Sequence, residues 1–241
     1  MSRLKLFGVC CVALLIAKWG LGATASVGPS TQKLAVHEEP DRVVLAWSGP
    51  ISEPMRDHIV AAIDTYKADT RHLVIALNSP GGSIAHGREV MEALRKASHV
   101  RPIDTLVEKG GVCASMCVPI YLIGTTRIAD PGAHFMFHEA SLRLPEGKEI
   151  SKTDRETISP IRKTIESLAT DDLFSRDIAT QRVDARWLTA MRTKITYNEI
   201  WLTGQQLVDE GSGVVDALVP TMANVGSRWS LVRSDRPPGR P

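Results

Sequence analysis

Ser115 lies in the run Gly110-Gly111-Val112-Cys113-Ala114-Ser115-Met116-Cys117. Two glycines break the chain just before it, and small neighbours leave its hydroxyl open to an approaching carbonyl. A helix starting here would aim its first amides at negative charge developing on that carbonyl. This is the setting of a nucleophile, although a serine after glycines is more often only a helix cap. The turn Asn78-Ser79-Pro80-Gly81-Gly82 is a second candidate, because its glycines let a backbone N–H face a ligand with no Cβ in the way. A plain strand-to-helix turn reads the same way.

A nucleophilic serine needs a base, and the chain has seven histidines. His37 is near the start, His58, His86 and His99 fall on or just after helices, and His72 opens a strand. His134 and His138 share one face of the alternating segment HFMFH. His138 stands at the C-terminal end of that strand, the edge at which parallel sheets gather their sites. It is the base the pattern selects. The histidines show no HExxH spacing, and this chemistry calls for neither metal nor cofactor.

The elements that must carry these residues are legible in outline. Arg42 to Trp47 and the apolar run His72 to Leu77 read as strands, the second buried on both faces as in a parallel sheet. Between them, Ser52 and Pro54 open a helix whose apolar positions are Met55, Ile59, Ala62, Ile63 and Tyr66. Ile84, Gly87, Val90, Met91 and Leu94 mark the next helix. Arg101 to Glu108 reads as a strand, Ala114 to Ile123 as a helix and His134 to His138 as a strand. This β-α alternation with short connections predicts an α/β layered domain with a largely parallel sheet. Residues 141–196 are more charged and read as a helical segment, with helix starts at Ser159-Pro160 and Asp184. Thr203 to Gly211 is a short helix and Val214 to Val219 a closing strand; residues 224–241 form a loose basic tail.

Composition agrees with one globular domain: 43% hydrophobic and 23% charged residues in a chain of 241. The net charge of +2 argues against a nucleic-acid binder. Arg3 and Lys5 precede the apolar run Leu6 to Ala17, which is short of the ~20 residues of a membrane span. Ala23 and Ala25 then form an A-x-A pattern, so residues 1–25 read as a cleaved secretory signal and 26–223 as the domain, opening on a linker from Ser26 to Thr31; an uncleaved membrane anchor is the alternative. Cys10 and Cys11 leave with the signal. Cys113 and Cys117 remain, an even count in an oxidising compartment, and they are expected to form a disulfide; two buried free thiols are the alternative.

The segments VVLAWSGPIS, LNSPGGSIAHG, GGVCASMCVPIYLIG, FMFHEA and WLTGQQLVDEGSGVVD together resemble the ClpP/crotonase superfamily, and within it the ClpP-like serine peptidases. CASMC resembles an exported, periplasmic subgroup with a serine between two cysteines. The resemblance implies that Ser115 is the nucleophile and His138 the general base. It also implies that the amides of Gly82 and Met116 form the oxyanion hole. Aligning Trp201-Leu202-Thr203 with the family's late F-L-S run puts Glu199 where relatives carry the aspartate of the triad, with Asn198 as the fallback. The expected function is an exported serine peptidase. It would act on peptides or unfolded chains, without an ATPase partner and as a homo-oligomer. The alternatives are a catalytically idle binding or assembly module, a crotonase-type acyl-CoA enzyme and a Ser-Lys dyad using Lys109. Export argues against the acyl-CoA enzyme, and His138 at the family position argues against the dyad. N-terminal sequencing of exported protein should find residues 1–25 gone; a chain in the membrane fraction still starting near Met1 would overturn the cleaved signal.

Overall fold

The computed structural model describes residues 33–141, 182–196 and 198–219, with the isolated positions 163, 167, 168 and 170. The proposed signal, the linker at 26–31, the helix start at Ser159-Pro160 and the basic tail lie outside the described residues. In chain order the elements are β1 (Lys33–Glu38), β2 (Arg42–Ser48), α1 (Glu53–Thr65), β3 (His72–Asn78), α2 (Ile84–Ser98), β4 (Ile103–Val107), β5 (Val112–Ala114), α3 (Cys117–Tyr121), β6 (Arg127–Ala129), β7 (His134–Phe137), α4 (Ala185–Ile195), β8 (Ile200–Thr203), α5 (Gly204–Asp209) and β9 (Ala217–Leu218).

The main sheet has the order β1-β2-β3-β4-β6-β9, parallel throughout except for the antiparallel edge strand β1. Alternation along its strands separates two faces. Val43, Leu45 and Trp47 of β2 and Leu73, Ile75 and Leu77 of β3 face a core that also takes Met55, Ile59 and Ala62 of α1 and Val90, Met91 and Leu94 of α2. Val44, Val74, Ala76, Leu106, Ile128 and Val219 form a smaller cluster on the other face. β3 therefore needs apolar residues at successive positions, as its near-continuous hydrophobic run foretold.

A second, three-stranded sheet has the order β5-β7-β8. β5 and β7 are parallel, with Ala114 opposite Met136; β7 and β8 are antiparallel, with Phe137 opposite Ile200. α4 lies against this sheet through an edge-to-face contact of Trp187 with Phe137, ring centroids 5.6 Å apart. Asp184 caps α4 by accepting from the Arg186 and Trp187 amides, and Thr203 with Gln206 forms a capping box on α5.

Three elements differ from expectation. β1 follows the segment read as a linker. The strand with the two histidines joins β5 in the small sheet rather than the main one, where β6 takes the place beside β4. Ala114, read as the first residue of a helix, instead ends the strand Val112–Ala114, which pairs with β7 and, through an isolated bridge at Cys113, with Ser79; the helix starts only at Cys117.

The closing segment is fastened by charge. Arg127 is fully buried, and its Nε and Nη2 donate to the two Asp216 carboxylate oxygens at 2.8 and 2.6 Å. Burial pushes the Asp216 carboxyl up, but the Arg127 hydrogen bonds and charge outweigh it, so it titrates below its ordinary value. A lowered folded pKa stabilises above the unfolded carboxylate pKa of ~4 and ceases to do so as pH falls through the folded value. Arg127→Ala should cost about 3 kcal/mol in urea unfolding, because it removes the nearer, hydrogen-bonded partner of a partly buried carboxylate and leaves it the looser pair with Arg182 at 3.6 Å. The difference from wild type should shrink as the pH drops below about 4; a cost that does not change with pH would show that packing, not the ion pair, is what Arg127 supplies.

Candidate active site

The nominated residues gather at the joint between the two sheets, the candidate site. β3 ends in the turn 79–83, β5 ends at Ser115 and β7 ends at His138, so three parallel strands deliver their C-terminal ends to one place. Ser79 donates its amide to Val112 O at 2.7 Å and accepts from the Ala114 amide at 3.0 Å, and the Val112 amide donates to Asn78 Oδ1 at 3.1 Å. These bonds stitch β5 to the end of β3.

Ser115 follows with φ of +54°, alone among the described non-glycine residues in having positive φ. A side chain in that region costs about 1–2 kcal/mol, so the surroundings must enforce it. They do: the Ser115 amide donates to Met136 O at 2.9 Å and its carbonyl accepts from the Val118 amide at 3.0 Å. The sulfurs of Cys113 and Cys117 lie at bonding distance, closing a disulfide across the serine with Cα atoms 5.1 Å apart. Both cysteines are fully buried. Cys113 belongs to β5 and Cys117 to the first turn of α3, so the bond ties the strand to the helix it feeds.

A cleft of about 50 Å³ is lined by Gly82, Ile84, Ser115, Met116, Pro119, Phe137, His138 and Thr170, among others. Of the residues the sequence nominated, Ser115, His138, Gly82 and Met116 are therefore brought together. The Gly82 and Met116 amides have no acceptor among the described residues. Two N–H groups left without a partner beside a serine hydroxyl can receive an anionic oxygen. The glycine turn is held hard against the serine: a Cβ on Gly81 would lie 2.7 Å from Ser115 Cβ, and one on Gly82 would overlap the Ile51 backbone. Their φ values of +93° and +152° likewise exclude ordinary side chains. On the far side of Met116, Gly87 of α2 comes so close that a Cβ there would overlap the methionine side chain.

Glu199 does not line the cleft, and it is exposed. The antiparallel ladder nevertheless pairs Phe137 with Ile200, so the next pair outward is His138 with Glu199. Asn198 is turned the other way, donating its side-chain amide to Lys194 O at the end of α4. Neither Ser115 nor Glu199 is hydrogen-bonded to His138, as is common before a substrate tightens such contacts. Among the described residues no three His, Cys, Asp or Glu side chains converge as a metal-ligand set. A wider groove of about 840 Å³ between α1 and α2 contains none of the nominated residues. Sequence reasoning did not single out Ser79 or Ile51; both act through hydrogen bonds that no spacing rule reveals.

A five-residue loop closed by a disulfide constrains the unfolded chain by only about 2 kcal/mol, so the effect of this bond is chiefly local. Peptide mapping of the unreduced protein should recover Cys113 and Cys117 cross-linked. Reduction should leave cooperative unfolding intact while hydrogen exchange at the Ser115 amide speeds up. Both thiols free to alkylation in the native oxidised protein would reject this.

These features sit inside a larger match. The family model described as Clp protease covers residues 38–196, more than half of the chain and including β2 through α4. The α/β architecture, the parallel main sheet and the family match agree, and the chain belongs to the Clp protease family.

Proposed function

We propose that the protein is an exported serine peptidase that cleaves peptides or already unfolded chains, working without an ATPase partner and as a homo-oligomer. Ser115 Oγ attacks the scissile carbonyl carbon while His138 takes the hydroxyl proton. The carbonyl oxygen, now an anion, is received by the amides of Gly82 and Met116. Collapse of the tetrahedral adduct breaks the C–N bond, and His138 returns the proton to the departing amine. Water repeats the sequence on the acyl-enzyme, again with His138 as base, and frees the second product. Glu199 orients the imidazole and stabilises its protonated form. The observation that carries this reading is the left-handed Ser115 sharing a cleft with His138 and two amides that have no acceptor. A catalytically idle binding module is the second reading. It draws on the exposed Glu199 and on the lack of hydrogen bonds from His138 to Ser115 or Glu199.

Labelling with a fluorophosphonate separates the two. The wild type should react at Ser115, and Ser115→Ala should not. His138→Ala should slow labelling by several orders of magnitude, and Glu199→Gln by about 10²- to 10⁴-fold. Undiminished labelling of Ser115→Ala would remove Ser115 as nucleophile, and a wild type that does not label would favour the binding module.

A further inference from the structure

We infer that Ser79 is a positioning residue that holds the Gly82 amide on the site, acting through Gly81; this rests on the reading of Gly82 as an oxyanion donor. Ser79 is 1% exposed and touches both halves of the site. Its backbone pairs with β5 on either side of Cys113, through Val112 O and the Ala114 amide. Its Oγ accepts from the Gly81 amide at 3.1 Å.

The amides of this turn can be accounted for in full. Ser79 donates to Val112 O, Pro80 has no N–H, Gly81 donates to Ser79 Oγ, and Ser83 donates to Ile51 O at 2.9 Å. Gly82 alone is left with its N–H unspent, and Gly82 lines the cleft beside Ser115. The turn is gripped from two sides. Ile51 holds its outer side through the Gly81 carbonyl at 2.8 Å and the Ser83 amide; the Ser79 hydroxyl holds its inner side. Gly81 is buried, so losing the hydroxyl strands a buried donor. The Pro80–Gly81 peptide plane must then rotate to find an acceptor, and through the Gly81 Cα it displaces the next plane, which carries the Gly82 N–H and is held by the Ile51 amide on the Gly81 carbonyl. Because Ser79 is also bonded to β5, its hydroxyl sets the oxyanion donor in register with the strand that presents the nucleophile.

The test compares full-length wild type with Ser79→Ala, using p-nitrophenyl acetate as probe and hydrogen exchange at the Gly81 and Leu45 amides as an independent readout. In Ser79→Ala, kcat should fall about 10- to 100-fold with KM within twofold, less than the loss of a direct oxyanion donor. Exchange at Gly81 should quicken while that at Leu45, deep in β2, stays as in wild type. Unchanged kcat, or an equal quickening at both amides, would overturn the inference; the second outcome would make Ser79 a residue of general stability. If the wild type proves inactive, the proposed function falls separately, and Gly81 exchange still decides: unchanged in Ser79→Ala, it overturns the role of Ser79; quickened there alone, it upholds it.

Discussion

A serine does not sit at φ +54° unless its neighbours exclude every easier conformation, and much of the architecture around Ser115 can be read as that exclusion. The residue lies in a gap between two regular elements that cannot be joined smoothly. β5 runs parallel to β7 and bridges to Ser79, so its direction is set by bonds on both sides. α3 is set by its fully buried residues Cys117, Val118, Ile120 and Tyr121. The Cys113–Cys117 bond then fixes how far the two can separate. With both ends held, the turn between them must be sharp, and the left-handed conformation makes it so. The strain of about 1–2 kcal/mol is small against the burial of four side chains, at ~1.5–3 kcal/mol for each large one.

The division into two sheets follows from the same need. A single parallel sheet would carry the ends of β3, β5 and β7 at one level, spread along an edge about 4.8 Å per strand. Here β5 leaves the plane of the main sheet and is tied to the end of β3 by the bridge from Ser79 to Cys113 and by the Val112 amide on Asn78 Oδ1. The glycine turn after β3 is thereby brought against Ser115, not beside it; Gly81 has no room for a methyl group. β7 then supplies His138 one position past its last ladder pair, and β8 begins one position after Glu199. Strand ends, where ladder hydrogen bonding stops, leave backbone and side-chain groups available for a substrate.

Much of the fold was legible because its causes are local. The hydrophobic run of β3, the spacing of Met55, Ile59 and Ala62 in α1 and the capping residue Asp184 act within a few positions of themselves. The short strands β1, β6 and β8 were not read, since three to six residues carry little periodicity and their pairing partners are distant in the chain. The candidate site divides in the same way. Gly-Gly before Ser115 and the HFMFH alternation are local signals. The pairing of Ser79 with β5, the clash that keeps Gly87 free of a side chain and the alignment of Glu199 with His138 depend on contacts between residues about 30 to 60 positions apart.

Among the described residues no lysine or arginine lines the cleft, so the stabilising of charge there falls to two amides, and many contacts serve them. Ile84, Met116, Pro119 and Phe137 line it with Ser115 and His138. An oxyanion formed there would meet N–H dipoles already held in place by the fold, which need not reorganise as water would. A dipole's attraction falls off faster with distance than that of a full charge, and it depends on direction. An arginine could follow a displaced oxygen by a change of rotamer; a backbone amide cannot. The Gly82 and Met116 amides are therefore only as useful as the backbone around them is rigid. That rigidity is what the Ile51 bridge, the Ser79 hydroxyl, the close fit of Gly87 to Met116 and the Cys113–Cys117 bond jointly impose.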